Sequence, residues 1–218
     1  MKVLNIHHHL GLGDHIICNG LIRFLSLSNK ILLFCKHNNL NNLKLMYKDN
    51  SNIELISVKD DIEAETIGIL KENYIRIGIA LTSNWPSNMQ SSWDKVFYYQ
   101  LNIPFEYSWS YFKYNKSSNQ NSYPSCNYAF VCDRGSDNII RVDYSKINCS
   151  KIVNSSHGNF FDNIDLIYNA TEIHCINSAY MHLIDRLENL NKPKLYFHKN
   201  YIHREYSEYS VKKEWTII

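Results

Sequence analysis

The first 80 residues alternate short apolar runs with segments that carry apolar residues at helical spacing, and this alternation limits the possible folds more than any other feature. A chain in which each strand is followed by a helix and then by another strand predicts right-handed βαβ units on a parallel sheet. The first apolar run ends at a turn that contains Gly11 and Gly13. The predicted strands are residues 3–9, 30–35, 53–58 and 74–81, and the predicted helices are residues 14–27, 40–48 and 60–72.

The pattern changes in the middle of the chain and then returns. Residues 93–112 are dense in aromatic side chains, and residues 113–126 are polar without periodicity, which is typical of a linker. The sequence therefore predicts an α/β protein of two Rossmann-like units, 1–112 and 127–218, each built on a parallel sheet. The predicted elements of the second unit are strands at 128–132, 138–144, 151–153, 172–177 and 194–198, and helices at 161–169 and 178–189.

Charge and composition exclude several classes of protein. The 218 residues carry 23 Lys+Arg against 21 Asp+Glu, a formal charge of +2, which gives no electrostatic case for a nucleic-acid partner. No stretch approaches the roughly 18 uninterrupted apolar residues of a membrane span, although peripheral contact with a membrane stays open. The six cysteines form no C-x-x-C pair. We therefore expect a cytoplasmic protein with reduced cysteines and no export signal.

The strongest local feature is the run HHHLGLGDH at residues 7–15, which joins the first predicted strand to the first predicted helix. Ligands of open α/β sheets bind beyond the carboxyl ends of the strands, where a helix N-terminus offers free N–H groups. Gly11 and Gly13 allow the backbone to approach a ligand closely. We expect Asp14 at this helix terminus to be ionised, and beside His15 it is a candidate general base.

Three other interpretations of this turn remain open. A dinucleotide fingerprint would need Gly where Ile16 stands, and the second predicted strand is not followed by the acidic residue that binds an NAD ribose. In a metal site, His7 and His9 would converge because alternate strand residues share a face, whereas His8 would not join them. Asp14 could also be only a helix cap. A P-loop is excluded because no G-x-x-x-x-G-K-[ST] motif occurs.

Two stretches resemble a known family. HHHLGLGDHIICNGLIR at 7–23 resembles the N-terminal loop of GT-B-fold glycosyltransferases, especially the heptosyltransferase-like family, which often open with a Gly-(Leu/Ile)-Gly-Asp segment before a helix. FDNIDLIYNATEIHCINSAYMHLIDRL at 161–187 is similar to the helix–strand–turn–helix of the GT-B donor-binding domain. In that domain a Ser or Thr after the strand meets the phosphates of the nucleotide sugar. Together the two stretches cover about a fifth of the chain.

The resemblance implies a GT-B-like fold, in which the parallel sheets of the two units face a cleft, and it implies roles for particular residues. Asp14 would deprotonate the acceptor hydroxyl, and Asn177 and Ser178 would face the donor diphosphate at the next helix N-terminus. Independently of the family, Arg134 in the turn FVCDRGSDN suits a diphosphate leaving group, whose negative charge grows as the glycosidic bond breaks. The sequence has no Asp-x-Asp pair, which favours leaving-group stabilisation without a metal. The predicted donor-binding residues are Gly11, Gly13, Arg134, Ser136, His157, Asn177 and Ser178.

Aromatic side chains are the candidates for acceptor binding, because sugars stack their C–H faces on such rings. The predicted acceptor residues are His9, Trp85 and Trp109, and packing of a core is the alternative role for the aromatic segment. The leading hypothesis is an inverting, metal-independent glycosyltransferase without a cofactor, in which Asp14 and His15 are the catalytic residues. It would move a sugar from a nucleotide-sugar donor to a glycan or lipid-linked acceptor hydroxyl.

Two alternatives come from other classes of function. The short chain, relative to the enzymes it resembles, motivates a non-catalytic nucleotide- or glycan-binding module derived from such an enzyme. A Rossmann oxidoreductase or epimerase is the third possibility, and bound nicotinamide would support it.

Overall fold

The computed structural model describes residues 1–78, 92–135, 138–154, 158–199 and 210–218. The chain divides into two compact units, Met1–Asn115 and Lys116–Ile218. Each unit is an α/β structure built on a parallel sheet. The boundary between the units lies within the predicted linker at 113–126. The Lys113 N–H donates to Asn19 of the first unit, whereas the Lys116 ammonium pairs with Asp165 of the second.

The N-terminal unit has four described strands in the order β3-β2-β1-β4, and all neighbouring strands run parallel. A short 3-10 helix, His37–Asn39, follows the second strand. The strands are β1 (Lys2–His7), β2 (Asn29–Lys36), β3 (Ile53–Val58) and β4 (Tyr74–Arg76), and the helices are α1 (Leu12–Leu25), α2 (Leu40–Met46), α3 (Asp61–Gly68), α4 (Trp93–Tyr99) and α5 (Tyr107–Ser110).

Strand alternation sorts the residues of β1 between two covered faces. His7 faces α3, where it contacts Asp61, and Ile6 therefore faces the opposite side of the sheet. On that opposite side α1 packs against α5, and a Cβ on Gly20 would overlap the carbonyl oxygen of Tyr107. Glycine at this position is what allows the two backbones to come so close.

The C-terminal unit has five described strands in the order β6-β5-β7-β8-β9, again all parallel. Short 3-10 helices occur at Tyr144–Lys146 and Phe160–Asn163. The strands are β5 (Tyr128–Cys132), β6 (Ser150–Val153), β7 (Glu172–Cys175), β8 (Lys194–Phe197) and β9 (Thr216–Ile217), and the helices are α6 (Ile164–Asn169) and α7 (Ala179–Arg186).

The two faces of the second sheet are covered in different ways. Phe130 of β5 packs on Tyr180 of α7, with ring centroids 5.5 Å apart. The neighbouring residue Val131 faces the other side, where it packs with Val142 and Ile147 of the connection between β5 and β6. The Phe130 face of the sheet is therefore covered by α7, and the Val131 face is covered in this region by the connection between β5 and β6.

Most predicted elements are confirmed, including the strands at 53–58 and 128–132 to the residue. The helix predicted at 60–72 ends earlier, at Gly68, and the Tyr74 ring of β4 packs directly on that glycine. The strand predicted at 138–144 is wrong. Asn138 adopts a positive φ of 60°, and the segment makes one antiparallel bridge, Ile140 to Arg134, before the 3-10 helix at Tyr144.

The sequence predicts no membrane-spanning segment, and the structure tests this prediction for helices. Within the residues that the structure describes, no helix has the length and apolar character that crossing a membrane requires.

Candidate functional site

The strand order of the N-terminal sheet reverses beside β1. The chain runs from β1 to β2 and β3 on one side and then returns to place β4 on the other side. Such a reversal, at the carboxyl ends of the strands, is where open α/β sheets bind ligands. The loop after β1 leads into Gly11, Gly13 and Asp14, so three predicted site residues lie at this reversal.

Asp14 lies over the N-terminus of its own helix. Gly11 is the N-cap residue of α1, with φ −68° and ψ 146°, and its carbonyl accepts the His15 N–H at 3.1 Å. A Cβ on Gly11 would lie 2.6 Å from Asp14 Oδ2, so a side chain there would displace the carboxylate. The positive end of the helix dipole stabilises an anion at this place. The partly buried Asp14 carboxylate thus lies at the N-terminus of α1, beyond the carboxyl end of β1.

His7 belongs to a buried polar group on the α3 face of the sheet. Its Nδ1 accepts a hydrogen bond from the Tyr74 hydroxyl at 2.8 Å, which leaves Nε2 as the protonated nitrogen that donates to Asp61 Oδ1 at 3.3 Å. Burial lowers the pKa of His7, against the opposing effect of Asp61. Since both ring nitrogens of His7 have side-chain hydrogen-bond partners, its surroundings indicate a structural role in the packing of α3 on the sheet.

His8 and His15 lie side by side on the other face. Their ring centroids are 4.3 Å apart, and both side chains are fully buried. Burial lowers the pKa of His8 to about 4 and that of His15 well below its usual value. His8 Nδ1 bonds the His9 carbonyl at 2.6 Å, but its Nε2 and both nitrogens of His15 have no hydrogen-bond partner within the described residues. His15, predicted as catalytic, is therefore fully buried in the interior beside His8.

The predicted acceptor residues have different surroundings. His9 is partly buried, and its ring lies 5.1 Å from that of Trp93 at the start of α4. Trp109 of α5 packs edge-on against Phe105 at 5.0 Å, which is a contact typical of a core. Trp85 lies outside the described residues. The ring beside His9 is thus that of Trp93. In the sequence, Trp93 was only one member of the aromatic segment.

The strand order of the C-terminal sheet reverses beside β5. Strand β6 pairs with one edge of β5 and β7 with the other, so the loops after β5 and β7 diverge at the carboxyl edge. Arg134 follows β5, and Asn177 and Ser178 follow β7. The structure therefore brings predicted donor-binding residues from two separate parts of the sequence to one edge of one sheet.

Arg134 is held by the residue that precedes it. Its Nε and Nη2 lie 3.1 and 3.4 Å from the two carboxylate oxygens of Asp133, whose side chain is 2% exposed. The Tyr144 hydroxyl donates to the same carboxylate at 2.7 Å. Burial and the Asp133 carboxylate raise the pKa of Tyr144 to about 12. The sequence did not identify Asp133 or Tyr144 as site residues. Asp133 could have been suspected because it directly precedes Arg134, but no sequence signal pointed to Tyr144.

Ser178 is the N-cap residue of α7, yet its side chain does not cap the helix. The hydroxyl Oγ is enclosed and has no hydrogen-bond partner within the described residues, and the first turn of α7 holds no acidic residue. Backbone N–H groups and the dipole at such a terminus favour an anion. Asn177 beside it is partly buried.

Two further predicted donor-binding residues, Ser136 and His157, lie outside the described residues. Within the described parts of the chain, no group of three or more His, Cys, Asp or Glu side chains is arranged to hold a metal ion. Comparison with known proteins found no matching family model, no similar curated protein and no similar solved structure.

Proposed function

We propose that this chain is a glycosyltransferase that moves a sugar from a nucleotide-sugar donor to a glycan or lipid-linked acceptor hydroxyl. The observation that carries the proposal is the pair of strand-order reversals, one with a carboxylate and one with a guanidinium. Asp14 lies at the first, and Arg134 with the uncapped N-terminus of α7 lies at the second. A base and a stabiliser of a leaving anion are the two groups that glycosyl transfer by direct displacement requires.

The proposed reaction is a single inverting displacement without a metal. The Asp14 carboxylate accepts the proton of the acceptor hydroxyl while that oxygen forms a bond to the anomeric carbon. The bond from the anomeric carbon to the phosphate oxygen breaks, and its electron pair stays on the departing nucleoside diphosphate. Arg134, Ser178 and the N–H groups of α7 stabilise this charge. His15 has no part in the step because its ring is enclosed in the interior.

The proposal is tested with purified full chain, a panel of UDP-, GDP- and ADP-sugars, and acceptor extracts. We expect release of nucleoside diphosphate together with transfer of the labelled sugar. The variant Asp14→Asn should lower kcat by about 10²- to 10⁴-fold with donor affinity unchanged, since only the base is lost. Asp165→Asn makes the same change in the first turn of α6 and should leave turnover unchanged.

Two results would count against the proposal. A wild-type chain that binds and hydrolyses no nucleotide sugar of the panel refutes the class of enzyme. Full turnover by Asp14→Asn refutes the assignment of the base.

The position of Asp14 also supports the alternative function. A carboxylate that lies over its own N-cap glycine stabilises the helix without any substrate. The chain would then be a non-catalytic nucleotide- or glycan-binding module. Donor binding with a large thermal shift, but without transfer to any acceptor extract, distinguishes this function from catalysis.

A further inference from the structure

A buried carboxylate stands between Arg134 and Tyr144. Asp133 is 1% exposed, and a carboxylate in such a place must be paired and hydrogen-bonded to stay ionised at low cost. It accepts from Arg134 Nε and Nη2 on its two oxygens and from the Tyr144 hydroxyl on Oδ2. The Tyr144 bond, at 2.7 Å, is the shortest of the three.

We infer that Tyr144 is a positioning residue for Arg134 and acts on it through Asp133. The inference rests on the proposed function, in which Arg134 meets the donor diphosphate. The two contacts with Asp133 use Nε and one hydrogen of Nη2, which directs the Nη1 side of the guanidinium away from the carboxylate. Tyr144 fixes the rotation of that carboxylate, and the carboxylate fixes the plane of the guanidinium.

The turn that carries Tyr144 is itself anchored at its start. Asp143 Oδ1 accepts from the Ser145 N–H at 3.1 Å and from the Ser145 hydroxyl at 2.6 Å, which closes the 3-10 helix. The Asp143 N–H donates to His198 Nδ1 at 3.2 Å, just beyond the end of β8. The position of Tyr144 is therefore set by the contacts that Asp143 makes at the start of the 3-10 helix.

The histidine that anchors the turn continues a directed chain of hydrogen bonds. Because His198 Nδ1 is an acceptor, its Nε2 carries the proton and donates to His174 Nδ1 at 2.9 Å. His174 Nε2 then donates to Glu172 Oε2 at 3.4 Å. Both rings are neutral and each ring nitrogen has a partner. The turn that carries Tyr144 is thus connected to the centre of the sheet.

The hydroxyl of Tyr144 and its ring have separable roles. The ring packs against the cluster formed by Val131, Val142 and Ile147, and a phenylalanine would keep that packing. The hydroxyl bonds Asp133 and so affects the orientation of Arg134. Substitution by phenylalanine therefore removes the positioning contact while the ring stays in place.

The test is a double-mutant cycle with the full chain, in which calorimetry measures the binding of inorganic pyrophosphate. We expect Arg134→Ala to weaken binding by about tenfold or more. Tyr144→Phe should weaken binding by about threefold to tenfold when Arg134 is present and should have no further effect in the Arg134→Ala background. Tyr168→Phe removes a hydroxyl that bonds the Glu188 carbonyl in the same unit and should bind like wild type.

The outcomes separate this inference from the proposed function. If Arg134→Ala weakens binding but Tyr144→Phe does not, the positioning role is refuted and the anion site stands. Equal losses from Tyr144→Phe in both backgrounds also refute it, because the hydroxyl then acts independently of Arg134. If the wild-type chain binds no pyrophosphate, both the diphosphate site and the positioning role are refuted. Thermal melting of Tyr144→Phe verifies that the variant is folded under the conditions of the titration.

Discussion

The two units place chemistry-bearing residues at the same topological position but give them opposite charge. At the reversal in the N-terminal sheet, the N-terminus of α1 already has a carboxylate over it, that of Asp14. At the reversal in the C-terminal sheet, the first turn of α7 has no acidic residue, and Arg134 follows the neighbouring strand. At the same topological position, the N-terminus of α1 is therefore stabilised by the carboxylate of its own helix, whereas the N-terminus of α7 is suited to an external anion.

The buried histidine pairs of the two units differ as well. His174 and His198 have a hydrogen-bond partner at every ring nitrogen. In the pair of His8 and His15, three ring nitrogens lack a partner within the described residues. A buried polar group without a partner costs free energy, whereas a satisfied network makes the packing more specific. We therefore expect the pair of His174 and His198 to stabilise the C-terminal unit and the pair of His8 and His15 to destabilise the N-terminal unit.

Acidification should produce the largest effect, and His8 is one of the buried histidines through which it should act. Its pKa is about 4 in the folded chain, against 6.5 when it is unperturbed, so the unfolded chain binds more protons between these values. His8 therefore leaves the free energy of unfolding unchanged above pH 6.5 and lowers it as the pH falls from 6.5 toward 4. The free energy of unfolding should fall by about 3 kcal/mol from this group.

Urea unfolding of a Trp215→Phe chain at several pH values measures this loss in the N-terminal unit, because the remaining tryptophans then lie in that unit. In a further His8→Phe variant this part of the pH dependence should disappear. An unchanged slope between pH 6.5 and pH 4 would show that His8 is not the titrating group.

Breaking the satisfied pair should have the next largest effect. His174→Phe keeps a ring that can stack on Tyr196, but it leaves His198 Nε2 and Glu172 without their partner. We expect the free energy of unfolding to fall by about 2 kcal/mol. Hydrogen exchange of peptides from β7 and β8 measures the loss where it occurs, and unchanged protection there would contradict the network.

The same substitution in the other pair should have the opposite sign. His15→Phe removes two buried nitrogens that have no partner within the described residues and keeps the edge contact with His8. We expect the free energy of unfolding to rise by about 1 kcal/mol. Thermal melting of the Trp215→Phe background, followed by fluorescence, measures the change. A loss comparable to that of His174→Phe would remove the contrast between the two pairs.

The smallest expected change in stability concerns Ser178. Because its hydroxyl caps nothing in the folded chain, Ser178→Ala should alter the free energy of unfolding by less than about 0.5 kcal/mol. Asp60→Ala is the matched control, since the Asp60 carboxylate accepts the Glu63 N–H at the start of α3 and its loss should cost about 1 kcal/mol. Pyrophosphate affinity should show the reverse order, with a loss for Ser178→Ala only. Equal losses of stability would identify the Ser178 hydroxyl as an ordinary cap.

Much of the fold follows from local patterns in the sequence. The strands at 53–58 and 128–132 are apolar runs of the right length, and residues that follow such runs must lie at the carboxyl edge of a parallel sheet. For that reason Asp14 and Arg134 could be placed at strand or helix ends without a structure. The same reasoning failed at 138–144, because two of its apolar residues, Ile139 and Ile140, are exposed and the segment makes only one bridge.

The three consecutive histidines show where local patterns stop. Alternation predicts that His7 and His9 share a face, but β1 ends at His7 and the alternation ends with it. His7 contacts Asp61 and Tyr74, and His9 lies beside Trp93. These partners are far away in sequence, so no spacing within the turn could identify them.

The sequence by itself determined the α/β class and most of the strand–helix order, because periodicity and turn residues act over a few neighbours. The tertiary structure alone decided which strands flank β1 and β5, and hence where the strand order reverses. It alone also decided that Tyr144 meets Asp133, and that one histidine pair is satisfied while the other is not. These features depend on contacts between distant residues, whose geometry is fixed only when the sheets pair and the helices pack.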